Sequence, residues 1–313
     1  MRKDLISIIV PCYNEEESLP IFYKEINKIS KEMKNVNFEF LFISDGSRDK
    51  TLEILKKYAK KDKRVRFISF SRNFGKEAGM YAGLENAKGD YVAVMDADMQ
   101  DPPVMVKEMY SIIQKEDYDC VALYTKDHKD YSFVRKFFTK CWYKLIGIIS
   151  STPQVPGARD FRLMKRKMVD AIVSMNEYNR YSKGIFSFVG FNTKWIDYTA
   201  PDRVAGVTKW SFSKLFVYAI EGIVSFTLAP LYLIVKLGVG LMVLDVLATL
   251  VLAILQMCNV YVFYSWVILL LVMVFLVSLV LCCMGISAIY QAKTYSEVKN
   301  RPIYITKETN VKK

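Results

Sequence analysis

Tyr91-Val92-Ala93-Val94-Met95-Asp96-Ala97-Asp98-Met99-Gln100-Asp101-Pro102-Pro103 is the stretch that decides the fold. An unbroken apolar run stops on a cluster of acidic residues. Such a run, bounded by turn residues, reads as a strand buried on both faces. The two prolines then open a helix, because proline suits a first helical turn and not an interior. Asp96 and Asp98 stand two residues apart where strand becomes loop, so both carboxylates can face one ion. Hard oxygen donors in that setting suit Mg²⁺ or Mn²⁺, especially when substrate phosphates complete the shell. Gln100 could supply a further neutral oxygen. Aspartate is common in turns, so the pair alone is a weak sign; its place after a buried strand gives it weight.

The same pattern repeats upstream and once downstream. Leu5–Val10, Phe38–Ile43, Val65–Phe70 and Asp119–Leu123 read as further strands, and helices are expected from about Lys50, near Lys76–Ala87, and from Pro102 to about Lys115. Alternating buried strands and helices predict an α/β, doubly wound, mainly parallel sheet. In such sheets ligands bind at the carboxyl ends of the strands. Asn14-Glu15, Asp45-Gly46-Ser47 and Asp96-Ala97-Asp98 all fall there. Asp45 could accept hydrogen bonds from a base or ribose, although Asp-Gly-Ser alone is equally a plain turn. In Arg72-Asn73-Phe74-Gly75-Lys76, Gly75 permits close backbone approach and the two cations could meet phosphates or a base. The bland alternative is a loop with solvated charges.

The chain has 313 residues, 52% hydrophobic and 24% charged, with a formal net charge of +12. The apolar excess is local. After Lys236 the sole charge before Lys293 is Asp245. Leu237–Met257 (21 residues) and Val262–Ile289 (28 residues) are each long enough to cross a bilayer. Residues 291–313 carry six Lys/Arg against two Asp/Glu. The positive-inside rule then places both flanks in the cytoplasm, as a two-helix transmembrane hairpin. The N-terminal apolar run is short and leads straight into a polar loop, so it reads as a strand and not a leader. Tyr131–Ile148, with Lys136, Lys140 and Lys144 on one helical face, and Trp210–Thr227 fit interfacial helices. For the first, an amphipathic core helix fits the periodicity as well.

A basic domain joined to an apolar tail suggests an anionic partner at a membrane. No nucleic-acid partner is expected, since no zinc-finger, helix-turn-helix or RNA-binding signature is present. His128 is the only histidine, which argues against His-rich metal sites and Ser-His-Asp or Cys-His chemistry. The six cysteines form no C-x-x-C pair and read as reduced.

Taken together, Val10-Pro11-Cys12-Tyr13-Asn14-Glu15-Glu16, Asp45-Gly46-Ser47, Ser71-Arg72-Asn73-Phe74-Gly75-Lys76, the Asp96–Pro103 segment and Asp160-Phe161-Arg162-Leu163 resemble the family 2 glycosyltransferases. The likeness is greatest to the polyprenyl-phosphate branch, the bactoprenol glucosyltransferases and dolichyl-phosphate mannose synthases. Arg203-Val204-Ala205-Gly206-Val207-Thr208-Lys209 matches that branch's R-x-x-G-x-S/T-K element. The resemblance covers nearly the whole chain. It implies a GT-A nucleotide-sugar-binding domain over 1–200, a juxtamembrane segment over 201–236, two transmembrane helices over 237–290 and a cytoplasmic basic tail over 291–313.

By resemblance, Pro11, Tyr13, Glu15, Asp45 and Asp96 contact the nucleoside, with Arg72 and Lys76 as further nucleotide contacts. Asp98 and Gln100 hold Mg²⁺ or Mn²⁺ on the diphosphate, with Asp96 near or on the ion. Asp160 matches the proposed catalytic carboxylate, working beside Asp98. Arg203 and Lys209 bind phosphate of donor or acceptor, with Arg135 as a further candidate. The implied reaction is an inverting transfer of a sugar, glucose from UDP-glucose as first choice, to undecaprenyl phosphate in a bacterial cytoplasmic membrane. GDP-mannose, UDP-N-acetylglucosamine or an aminoarabinose-type donor are the alternatives. The implied partners are the nucleotide sugar, the polyprenyl phosphate, membrane lipids and further copies of the chain, with a tetramer as one form. A processive polysaccharide synthase is a competing reading, but the Q-x-x-R-W element is absent. A non-catalytic membrane scaffold is another, against which the intact Asp96, Asp98, Asp160 and Arg203 argue.

Overall fold

The computed structural model describes residues 2–125, 155, 157–198, 229–257 and 265–311. Strands and helices alternate from the N-terminus: β1 (Leu5–Cys12), α1 (Ser18–Glu32), β2 (Asn37–Ser44), α2 (Thr51–Lys61), β3 (Val65–Phe70), α3 (Lys76–Asn86), β4 (Tyr91–Val94), α4 (Met105–Lys115) and β5 (Cys120–Tyr124). Then come β6 (Ala158–Lys165), α5 (Arg166–Val173), α6 (Ser182–Phe188) and β7 (Thr193–Asp197). Two long helices, α7 (Ala229–Met257) and α8 (Ser265–Val298), precede a last strand, β8 (Thr306–Thr309).

The eight strands form one sheet in the order β7-β5-β6-β4-β1-β2-β3-β8. Its centre is parallel: β1 pairs with β2 and β4, and β2 with β3. Helices cover both faces, which is why the strands read as unbroken apolar runs. Ile6, Ile8 and Val10 pack with Phe22, Phe40, Phe42 and Met109 on one face. Ile9, Leu41 and Ile43 pack with Ala78, Met80 and Ala82 on the other. Helix α3 lies so close to β1 that a Cβ at Gly83 would overlap the Ile9 side chain.

Two features depart from the simple parallel pattern. The fifth strand does not extend the parallel centre; β6 inserts between β4 and β5, antiparallel to both. The last strand arises from the stretch read as a basic tail. Thr306–Thr309 adds antiparallel to β3, with Ile68 opposite Thr309 and Phe70 opposite Thr306. The Asn310 side chain continues the ladder, accepting from Phe67 N at 2.7 Å and donating to Val65 O at 3.1 Å. Tyr304 stacks on Phe70 with ring centroids 4.9 Å apart. An amphipathic, charge-bearing strand of four residues is too short to show a clear period-two signal in sequence.

The two long helices present apolar side chains outward along their length, Leu244, Leu281 and Met284 among them. Among the described residues one helical stretch, Phe275–Val298, is long and apolar enough to cross a bilayer, where the sequence led to an expectation of two. Glu297, near the end of α8, accepts from the backbone N–H groups of Tyr178 and Asn179 at 3.0 and 3.1 Å, which fastens this helix end to the sheet domain. Cys12, Cys120 and Cys283 are free thiols. The expected interfacial helices at Tyr131–Ile148 and Trp210–Thr227 lie outside the described residues.

Candidate active site

The register of β4 against β6 builds the site. Val94 is paired with Arg162 in an antiparallel ladder. Two steps beyond the end of β4, the same register sets Asp96 across from Asp160. Only an antiparallel neighbour can bring the start of one strand to the carboxyl end of another, so the inserted β6 is what joins two acidic residues 64 positions apart in sequence. Lys76, the first residue of α3, bridges them, with Nζ 2.8 Å from the Asp96 carboxylate and 2.7 Å from Asp160 Oδ2.

Burial alone would raise the Asp160 carboxyl, but Lys76, then Lys183 and Arg162, outweigh it and hold it well below the usual carboxylate range. Burial likewise works against the Lys76 ammonium, and Asp160 and Asp96 together outweigh that and push it above its ordinary value. Lys76 and Asp160 are therefore both ionised in the neutral range. It is also open to solvent, with the Lys76, Asp96 and Asp160 side chains 40%, 31% and 20% exposed.

The Asp98 loop turns sharply: Met99 has φ +64°, and Gln100 N donates to Asp98 Oδ1 at 3.1 Å. Asp101 is buried beneath it and fixes it. Its carboxylate accepts from Arg159 Nε at 3.2 Å and from the Tyr198 hydroxyl at 2.8 Å. Burial raises the Asp101 carboxyl above its ordinary value despite Arg159. Asp101, Arg159 and Tyr198 are the residues that sequence reasoning missed. Asp101 stood inside the quoted motif, but nothing in the sequence distinguished a buried anchor from a third ligand.

Asp45 also acts through the backbone. Its two carboxylate oxygens accept from Phe74 N at 2.6 Å and Gly75 N at 2.9 Å, so Asp45 holds the loop that launches Lys76. Burial raises this carboxyl, and the two N–H groups and Arg72 oppose the rise. Gly46, at φ +64°, sits against the same loop, and a Cβ there would stand 2.5 Å from Asn73 N. Pro11 is the penultimate residue of β1, opposite Ile43. Tyr13 and Glu15 follow in the next loop, where Glu15 accepts from Ser18 Oγ at 2.5 Å and its N–H donates to Thr51 Oγ1 at 2.9 Å. Arg72 points elsewhere: its guanidinium lies 4.1 Å from the Phe74 ring centroid, and it makes no ion pair with the Asp96–Asp160 cluster. Arg135, Arg203 and Lys209 lie outside the described residues.

The donor set fits a hard divalent cation. Asp96, Asp98 and Gln100 offer oxygen only, and among the described residues no group of three or more His, Cys, Asp or Glu side chains forms a closed cage. One or two carboxylates with the remaining positions left to phosphate and water is the usual arrangement for Mg²⁺ on a nucleotide.

A sheet of this kind with acidic groups at the ends of its central strands defines a GT-A-like α/β protein. Residues 7–173 match the family described as glycosyl transferase family 2. The chain belongs to that family and is a glycosyltransferase. It is 37% identical over 313 residues to putative glycosyltransferase CsbB of Bacillus subtilis, covering 99% of this chain and 94% of that one. It is 36% identical over 307 residues to the SfII prophage-derived bactoprenol glucosyl transferase of Shigella flexneri, covering 97% and 98%. Among solved structures, glucosyl-3-phosphoglycerate synthase of Mycobacterium tuberculosis with Mn²⁺ and UDP-glucose aligns over 71% of this chain and 77% of its own, at 16% identity and TM-score 0.46.

Proposed function

We propose that the chain transfers glucose from UDP-glucose to a polyprenyl phosphate, with inversion at the anomeric carbon. The observation that carries this reading is the Asp96–Lys76–Asp160 bridge beside Asp98, built at the carboxyl ends of β4 and α3's loop. The near full-length similarity to proteins named bactoprenol glucosyl transferase supports the choice of sugar and acceptor.

In this reading Asp98, Asp96 and Gln100 hold the divalent ion. When bound it neutralises charge on the departing diphosphate. Lys76 sits where that charge develops and adds to its stabilisation. An acceptor phosphate oxygen forms the new bond to the anomeric carbon as the bond to the nucleotide diphosphate breaks on the opposite face. A phosphate monoester has its second pKa near about 6 and is largely dianionic at neutral pH, so no proton need be removed. Asp160, held as a carboxylate, therefore positions Lys76 and the sugar. Asp160→Asn is expected to lower turnover equally across the pH range; rescue at high pH would show a proton-accepting role instead. Arg203, Lys209 and Arg135 are assigned to phosphate of donor or acceptor.

The same reading places α7 and α8 across a bacterial cytoplasmic membrane, with residues 1–200 and 291–313 on the cytoplasmic side and a juxtamembrane segment over 201–236. At 1.5 Å per residue, helices of 29 and 34 residues are about 44 and 51 Å long, enough to span. The return of β8 to the sheet favours an even number of crossings, because the chain leaves the domain after β7 and rejoins it at Thr306. Assembly as a homo-oligomer, a tetramer among the options, belongs to the proposal too.

Purified full-length chain with polyprenyl phosphate and a panel of nucleotide sugars tests it. UDP-glucose is expected to give lipid-linked glucose only when Mg²⁺ or Mn²⁺ is supplied. Turnover of GDP-mannose, UDP-N-acetylglucosamine or an aminoarabinose donor in its place would reassign the sugar, and metal-independent transfer would remove the role given to Asp98.

A further inference from the structure

Away from the carboxylate cluster, a cavity of about 220 Å³ opens between α3, the Tyr178–Tyr181 segment and the end of α8. Arg72, Arg180 and Lys293 line it together with Phe74, Tyr178 and Glu77. None of Asp45, Asp96, Asp98 or Asp160 contributes to its wall. The lining is thus three cations against one carboxylate, and that carboxylate is weakened as an anion. Burial pushes Glu77 up to about 7, and its oxygens are engaged by Ser182 N at 3.0 Å and by the Ser182 hydroxyl.

Arg180 is the decisive member. It is 9% exposed, and among the described residues its buried Nε has no hydrogen-bond partner. Its terminal nitrogens donate to the carbonyls of Met175 and Ile172, and its guanidinium lies 4.4 Å from the Tyr81 ring centroid. Burial lowers its pKa, and Glu177, Tyr81 and Glu77 oppose the fall. A buried cation with an unmet donor is destabilising unless an anion meets it. Here the unmet donor belongs to a side chain faced by Glu177 and Glu77 and lining a space shared with two more cations.

Lys293 fixes the depth. It is the first charged residue after the uncharged run that ends at Ile289, about 6 Å further along the helix at 1.5 Å per residue. If α8 spans the bilayer, as proposed above, the cavity stands at headgroup level, where phosphate groups are concentrated. We propose that this cavity binds the headgroup phosphate of an anionic phospholipid, between Arg180, Lys293 and Arg72, and so seats the sheet domain on the membrane. The acceptor's phosphate is a poorer fit, because it must reach the sugar in the Asp96–Asp160 cleft, whose carboxylates are absent from this wall. The inference rests on the membrane reading of α8.

The test uses the full-length chain in lipid nanodiscs and follows amide hydrogen exchange of Tyr178–Tyr181. Phosphatidylglycerol added to phosphatidylcholine discs is expected to slow exchange about tenfold. Lys293→Gln, at the accessible end of the site, is expected to remove most of that protection, as is Arg180→Lys, which keeps the charge and loses the Nε donor. Equal protection by inorganic phosphate in phosphatidylcholine discs would overturn the lipid assignment. Protection by polyprenyl phosphate but not phosphatidylglycerol would assign the cavity to the acceptor and overturn it as well. So would full protection retained in Lys293→Gln, or no protection at all. Flotation with phosphatidylcholine vesicles separates the two readings: a chain that floats without protection loses only the cavity, and a chain that fails to float loses both.

Discussion

Phe40, Phe42 and Ile9 in the sheet domain are fully buried, whereas Leu244, Leu281 and Met284 on the two long helices are each 63% exposed. The same apolar residue types stabilise the first region by leaving water for the protein interior. In the second they are left uncovered among the described residues and are suited to a lipid interior. Charge divides in the complementary way. The domain holds the carboxylates and lysines at the strand ends, while the long helices are nearly free of charge until Lys293. In the proposed function, chemistry and stability reside in one region and location in the other, and the contacts of Glu297 and β8 tie them together.

The strongest break of this comparison is at the site. Asp98→Ala is expected to lower transfer on the order of a thousandfold, about 4 kcal/mol of transition-state stabilisation. Vesicle flotation and the melting temperature should not change; loss of flotation would show that the domain, and not the helices, decides location.

The next contrast is in packing. Phe42→Ala should destabilise the sheet domain by about 3–5 kcal/mol in denaturant unfolding, because it opens a cavity in a fully buried core. Leu281→Ala should change the same measurement by less than about 0.5 kcal/mol. Equal effects would mean that the outward face of α8 is covered by protein.

The tie between the regions is weaker. Asn310→Ala removes two hydrogen bonds at 2.7 and 3.1 Å to the β3 edge and is expected to cost about 1–2 kcal/mol. Faster amide exchange should follow at Phe67 and along β8, with β1 unaffected.

A further effect, seen only across a pH window, is expected at Glu77. Burial raises its carboxyl from 4.5 to about 7 in the folded state. The folded protein thus binds this proton more tightly than the unfolded chain does. The resulting stability is complete below about 4.5 and is lost as pH rises through about 7. Unfolding of the wild type, measured against Glu77→Gln, should show a decline on the order of 3 kcal/mol across that window. A flat difference would mean that Glu77 ionises normally.

Much of this was legible before any coordinates. The β1–β4 strands, the helices α2 and α3 and the place of Asp96 and Asp98 follow from buried runs that stop on polar loops. The motif set carried the family. Three things were not legible. Arg72 and Lys76 lie four residues apart on one loop, yet one lines the outer cavity and the other bridges Asp96 and Asp160. The structural partners of Asp45 and Asp101 were not readable either: their oxygens hold the Phe74–Gly75 backbone and the Arg159–Tyr198 pair. The charged tail conceals a strand.

By itself the sequence determined the period of the elements, because burial on both faces leaves a continuous apolar run whatever the neighbours are. It determined the apolar helical stretches as well, in which Asp245 is the sole charge between Lys236 and Lys293. The tertiary structure alone decided which strands are neighbours. Inserting β6 antiparallel beside β4 sets Asp160 across from Asp96, and the end of α8, which β8 on β3 follows, is fastened to Tyr178 and Asn179. Both are pairings between segments distant along the chain, fixed by sheet register and not by any local preference.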